Sequence, residues 1–106
     1  MASTIQEFFD ALKIDPARLT GMTATFQFVA TGDGGGDWNV KIADGKADIA
    51  VGKADSPTIV LTAAAGDWLA LMNKEMNGQT AFITGKLKIQ GDMTLAMKLE
   101  SLFQLG

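Results

Sequence analysis

From Phe26 to Val51 the chain changes character at almost every residue. Phe26 and Phe28 alternate with Thr25 and Gln27, Trp38, Val40 and Ile42 alternate with Asn39 and Lys41, and Ile49 and Val51 continue the pattern. A period of two is the mark of strands half-buried against one side of a sheet. Asp44-Gly45, between the second and third runs, is a strong two-residue hairpin signal. The connection from Thr31 to Asp37 is longer and rich in glycine. Three consecutive antiparallel strands are therefore expected, and the rest of the fold must be built around that meander. Asp55-Ser56-Pro57 then breaks the chain, and Thr58 to Thr62 reads as a fourth strand. Its three successive apolar positions predict cover on both faces. Leu87 and Ile89, between solvent-facing Lys86 and Lys88, mark a fifth.

The remaining segments carry helical spacing. Residues 4 to 14 form an amphipathic helix with Ile5, Phe8, Phe9 and Leu12 on one face, opened by a capping box of Thr4 with Glu7 or Ser3 with Gln6. Asp15-Pro16 starts a short turn or helix to Leu19. Residues 64 to 76, with Trp68, Leu69, Leu71, Met72 and Met76, form a second helix that Asn77-Gly78 ends. Residues 79 to 84 form a short helical turn, and Asp92 N-caps a last helix. No repeat or linker divides the chain. It reads as one α+β domain spanning residues 1–106: a single five-stranded, mostly antiparallel sheet with four to five helices on one face.

Composition narrows function mainly by what is missing. The chain has no Cys, His or Tyr. Thiolate nucleophiles, disulfides, thiolate metal sites and the commonest general base are therefore excluded. Ser3, Ser56 and Ser101 have no His to activate them. A net charge of −3 leaves no electrostatic footprint for nucleic acid. No apolar run approaches the roughly 20 residues of a spanning helix, so membrane contact is at most transient. The first residues have neither a basic region nor an apolar signal core, and the last three, Gln104-Leu105-Gly106, are not a peroxisomal ending. A cytoplasmic location is expected.

The motifs that suggest chemistry have simpler explanations. The glycine cluster from Gly32 to Gly36 is followed by a strand and not a helix, against a dinucleotide fingerprint, and it lacks the Lys-Ser/Thr ending of a P-loop. Asp33, Asp37, Asp44, Asp48 and Asp55 fall mostly in turns, where aspartate serves the backbone. Lys86, Lys88 and Lys98 read as a solvated face that blunts a sheet edge, with recognition of an anionic headgroup or a coenzyme A phosphate as the functional alternative. A non-enzyme without cofactor or metal is expected.

The last helix is the anomaly. Thr94, Lys98 and Ser101 make a narrow polar stripe. Leu95, Leu99, Leu102 and Ala96 make one apolar stripe, with Met93 and Met97 making a second beside it. The apolar arc is wider than one-sided packing on a sheet requires. Met72 and Met76 repeat the methionine spacing on the earlier helix. Methionine adapts to irregular apolar partners, so either gap-filling in the core or an internal cavity for a flexible ligand accounts for both pairs.

At these residues the chain resembles the sterol carrier protein 2 domain family. The resemblance is closest at Asn77, Gln79, Ala81, Phe82, the run Gly85-Lys86-Leu87-Lys88-Ile89, Gly91, Met93 and Leu95-Ala96-Met97-Lys98-Leu99. Looser agreement includes Trp38, Asp44-Gly45, Ser56-Pro57 and Asp67-Trp68-Leu69-Ala70-Leu71. The resemblance implies a hydrophobic tunnel between sheet and helices that holds fatty acids, fatty acyl-CoA or sterol-like lipids without catalysis. It also implies lining residues, and we expect these to be Phe8, Phe28, Trp38, Trp68, Leu71, Met72, Met76, Phe82, Ile83, Met93, Met97, Leu102 and Phe103. The partner is then a small lipid and the carrier a monomer. The alternative is an interaction module, a homodimer or docking domain, whose apolar face is closed by protein. One departure is Ala64, where the family commonly has a helix-capping Ser; another is the acidic character of the first helix, with Glu7 and Asp10 against Lys13.

Overall fold

The alternating segments form the sheet. In a computed structural model, which describes residues 2–105, β1 (Ala24–Thr31), β2 (Gly36–Ala43) and β3 (Lys46–Val51) make the antiparallel meander. Asp44 and Gly45 both take positive φ, 53° and 75°, the geometry that lets a two-residue turn follow the strand twist. β4 (Ile59–Ala64) crosses over to pair parallel with β1, and β5 (Leu87–Gly91) pairs antiparallel with β4. The order is β3-β2-β1-β4-β5: five strands, with three antiparallel pairings and one parallel. Gly91 lets β5 approach β4 closely, because a Cβ there would lie 2.4 Å from the Thr58 carbonyl oxygen.

Register sets the core face. Phe26 faces Val40 and Ile59, Phe28 faces Trp38 and Leu61, and Leu61 faces Ile89. Five helices cover that face: α1 (Ile5–Ala11), α2 (Ala65–Met72), α3 (Gly78–Ile83), α4 (Met93–Ala96) and α5 (Leu99–Phe103). A 3₁₀ turn, Pro16–Arg18, follows α1, with the Asp15 carboxylate accepting from the Ala17 amide. Phe9, Phe28, Trp38, Trp68 and Phe103 form an aromatic centre with ring centroids 5.1–5.6 Å apart. The two indole N–H groups are satisfied, Trp38 by Gln6 Oε1 at 2.9 Å and Trp68 by the Val29 carbonyl at 2.8 Å.

Five expectations change. The first helix ends at Ala11, although its capping box forms: the Glu7 amide donates to Thr4 Oγ1, and Glu7 Oε2 accepts from the Ser3 amide. The second helix ends at Met72, so Met76 lies beyond it. Asn77 does not terminate that helix; its Oδ1 accepts from the Gln79 and Thr80 amides and starts α3. The last helix breaks at Met97-Lys98 into α4 and α5. β4, expected to be covered on both faces, alternates buried Ile59, Leu61 and Ala63 with half-buried Val60 and Thr62. Among the described residues, no helix lies over its outer face.

Candidate functional site

The helix breaks open a space at the β5 end of the sheet. Asp92 caps α4 through the Thr94 amide, 2.9 Å from its Oδ1, and the short α4 turns at Met97-Lys98 before α5 begins. Leu95, Leu99 and Leu102 are buried, whereas Met93 is 49% and Met97 85% exposed. The leucines are thus buried and the methionines are not, although Ala96 and Leu99 of the leucine stripe also border the space beside them.

Between α3, β5 and the α4–α5 segment lies a cavity of about 370 Å³ that opens to solvent. It is lined by Leu71 of α2, Phe82 of α3, Leu87 and Ile89 of β5, Met93, Ala96 and Met97 of the α4 segment, Leu99 of α5, and Leu105. Gly78, Gln79 and Glu100 complete it, so the polar lining is one amide and one carboxylate, with no cation among the described residues that line it. The arrangement can hold an apolar body by burial. It presents no pair of groups within the cavity for nucleophilic or acid–base work.

Of the thirteen residues expected to line a ligand site, Leu71, Phe82, Met93 and Met97 come together here. Phe8, Met72 and Phe103 lie instead on a second recess of about 630 Å³ between α1, the end of α2 and Gln104. Glu7, Lys13, Asn73 and Lys74 also line that recess, which makes it the larger but more polar of the two. Phe28, Trp38 and Trp68 belong to the aromatic core, Leu102 is buried, and Met76 packs half-buried against the core. Ile83 stands outside the cavity, 74% exposed. The sequence reading had not singled out Leu87, Ile89, Leu99 or Leu105 as lining. The signal for the first two was present in their alternation with Lys86 and Lys88. Using it required knowing that helices lie on the Leu87–Ile89 side of β5.

Comparison with known proteins agrees with the fold. The family model described as the SCP-2 sterol transfer family matches residues 5–104. Sterol carrier protein 2 of Gallus gallus is 45% identical over 76 residues, covering 70% of this chain and 14% of its own length. Hydroxysteroid dehydrogenase-like protein 2 of Xenopus tropicalis is 32% identical over 104 residues, covering 95% of this chain and 25% of its own. The chain therefore spans a quarter or less of these curated relatives. Among solved structures, palmitated SCP2L2 from Aedes aegypti superposes with a TM-score of 0.74 at 26% identity, covering 94% of each chain. A double mutant of the sec-alkyl sulfatase PisA1 reaches 0.81 at 20% identity over 93% of this chain and 16% of its own, a likeness of fold alone. With a family match over nearly its whole length and the same sheet and helices, the chain belongs to the SCP-2 sterol transfer family.

Proposed function

We propose that this domain is a non-catalytic lipid carrier that takes the acyl chain of a fatty acid or acyl-CoA, or a sterol-like body, into the cavity between α3, β5 and α4–α5. The observation that carries this reading is the apolar lining itself, Leu71, Phe82, Leu87, Ile89, Met93 and Met97 around a cavity of about 370 Å³, in a chain of this family. That volume falls within the range of small-molecule sites, roughly 300–1,000 Å³. The palmitated state of the Aedes aegypti relative supports an acyl chain as ligand. The absence of Cys, His and Tyr supports carriage over catalysis.

Burial alone is sufficient in magnitude. A chain of about 16 carbons at about 0.8 kcal/mol per methylene yields on the order of 10 kcal/mol. Lost ligand freedom and side-chain ordering offset several kcal/mol, leaving affinity near micromolar or tighter. Exposed Met93 and Met97 are unbranched and can fold over the chain, converting the open cavity into a tunnel. With no cation in the lining, affinity for an acyl chain is expected to change little with added salt.

The test is equilibrium binding of a fluorescent fatty acid, with native mass spectrometry of the purified protein for co-purifying lipid. Met97→Glu is expected to abolish binding while leaving the circular dichroism spectrum unchanged, since Met97 is 85% exposed. Saturable binding that is missing for every acyl chain and sterol tried would overturn the carrier reading. Unchanged binding by the variant would move the site away from α4.

A further inference from the structure

The sulfur of this chain is all thioether. It has six methionines and no cysteine, so an oxidant that elsewhere meets a thiolate finds none here. Exposure is uneven among the described methionines. Met72 is buried and Met22 and Met76 pack half-buried against the core, whereas Met93 is 49% and Met97 85% exposed. The two tryptophans, the other readily oxidised side chains, are buried, and each indole N–H is held by a hydrogen bond. Met93 and Met97 stand one above the other on the α4 segment, where the Met97 amide donates to the Met93 carbonyl at 3.3 Å. Both line the apolar cavity, and Met97 also borders a recess beside Lys74 and Ser101. The most accessible thioethers among the described residues are therefore the ones that wall the proposed lipid site.

We infer that Met93 and Met97 form an oxidation site: hydrogen peroxide converts them to sulfoxides and thereby lowers the affinity of the cavity for an acyl chain. The thioether sulfur attacks one peroxide oxygen. An S–O bond forms, the O–O bond breaks, and the departing oxygen takes the proton of the attacked one and leaves as water. The peroxide is reduced and the sulfur oxidised by one electron pair, so the step needs no further reactant. A sulfoxide is polar and accepts hydrogen bonds where the thioether was apolar. Turned toward a bound chain, it loses its hydration without gaining a donor from the aliphatic wall; turned to solvent, it uncovers the chain. Either orientation weakens binding. The fold has little at stake, because both side chains are already exposed while Leu95, Leu99 and Leu102 hold α4 and α5 to the core. Reversal takes a thiol-dependent methionine sulfoxide reductase, since the chain has no thiol of its own. A chain lying in the cavity covers the same sulfurs, so occupancy and oxidation oppose each other.

The loss of affinity rests on the carrier reading, whereas the oxidation site itself is read on protein without lipid. The whole chain is treated with dilute hydrogen peroxide, and its methionines are followed by peptide mass mapping. Met97 is expected to oxidise first and Met93 second, both ahead of Met22, Met72 and Met76, in the order of their exposure. Saturating fatty acid should slow both. Affinity for a fluorescent fatty acid should fall about tenfold as the pair converts, with the circular dichroism spectrum unchanged, and return on treatment with the reductase and a thiol. Met93→Leu with Met97→Leu, whatever its starting affinity, should keep that affinity through the peroxide step. Met97→Gln, polar without oxidation, should bind less tightly than Met97→Leu. The inference is overturned if all the methionines oxidise at one rate, or if affinity is unchanged once Met93 and Met97 are sulfoxides. It is overturned equally if the paired leucine variant loses affinity to peroxide as the wild type does. No acyl binding before treatment would reject the carrier function and the loss of affinity with it, and the mapping alone would then keep or remove the oxidation site.

Discussion

Gln27 closes the face of the sheet that no helix covers. Its Nε2 donates to the carbonyls of Trp38 and Gly52, each at 3.1 Å, and its Oε1 accepts from the Ala54 amide at 2.7 Å. The segment after β3 is thereby pinned across the outer side of β1 and β2, and Gln27 itself is buried. Asn39 assists with one bond to the Gly52 carbonyl at 3.0 Å, but its Oδ1 is buried without a partner among the described residues. Gln27 makes two of the bonds to this segment, beside that of the Gly52 amide to the Asp37 carbonyl at 2.8 Å. Gln27→Leu fits a similar volume but strands the Ala54 amide and weakens two carbonyl contacts. A buried polar group left without its partner costs about 1–3 kcal/mol. The expected result is a lower urea midpoint by that amount, with fatty-acid affinity unchanged because the cavity lies on the other face. An unaltered midpoint would mean that the segment's backbone is satisfied without this side chain.

Two neighbouring helices end in the same way with different residues. After α3, the Gly85 amide donates to the Phe82 carbonyl and the Lys86 amide to the Ala81 carbonyl, with Gly85 at φ 80°. After α2, Lys74 and Glu75 donate to Leu71 and Ala70 in the same pattern, with Lys74 at φ 61°. This termination favours glycine, because a Cβ in the left-handed region is strained. Lys74→Gly is therefore expected to stabilise the protein by about 0.5–1 kcal/mol, read as a Tm higher by a few degrees. The opposite end of α2 offers a second gain. Ala64 occupies the N-cap with φ −65° and ψ 150° and makes no side-chain bond. Ala64→Ser would supply an acceptor for a free first-turn amide and add about 1 kcal/mol. If calorimetry shows no rise for either variant, α2 is held by packing alone and its ends are indifferent. The same motif explains which elements could be read from sequence. Strands were legible because alternation is local and the Asp44-Gly45 turn is unambiguous. Helix ends were not: a lysine stood where glycine normally signals the stop, and Asn77-Gly78, read as that stop, caps the next helix. The break at Met97-Lys98 has no glycine or proline to announce it. For the cavity, periodicity separated buried leucines from exposed methionines, but Ala96 and Leu99 of the leucine stripe line it as well, and the contribution of β5 depended on which side of the sheet the helices cover.

The aromatic core and the proposed binding cavity occupy different parts of the molecule. Phe9, Phe26, Phe28, Trp38, Trp68 and Phe103 pack edge-on or stacked over β1 and β2, and none of them lines the apolar cavity. The cavity is walled instead by aliphatic side chains, methionines and Phe82 at the β5 end. Aromatic pairs have preferred geometries and fix a unique packing; methionines and leucines tolerate an occupant of variable shape. A carrier needs both, a core rigid enough to keep the fold when empty and a wall loose enough to admit a chain. Substitutions at sites that share no partners act additively, so the division is testable with two variants and their combination. Phe28→Leu removes ring contacts to Phe9, Trp68 and Phe103 and should cost about 1–3 kcal/mol of unfolding free energy. Its affinity for a fluorescent fatty acid should stay within about twofold of wild type. Met97→Glu should do the reverse, losing the ligand at nearly unchanged urea stability, because the side chain is already exposed. The double variant should show the sum of both effects. A large loss of affinity in Phe28→Leu would instead mean that the aromatic centre sets the shape of the cavity through Leu61 and Ile89, the β4–β5 pair that separates them.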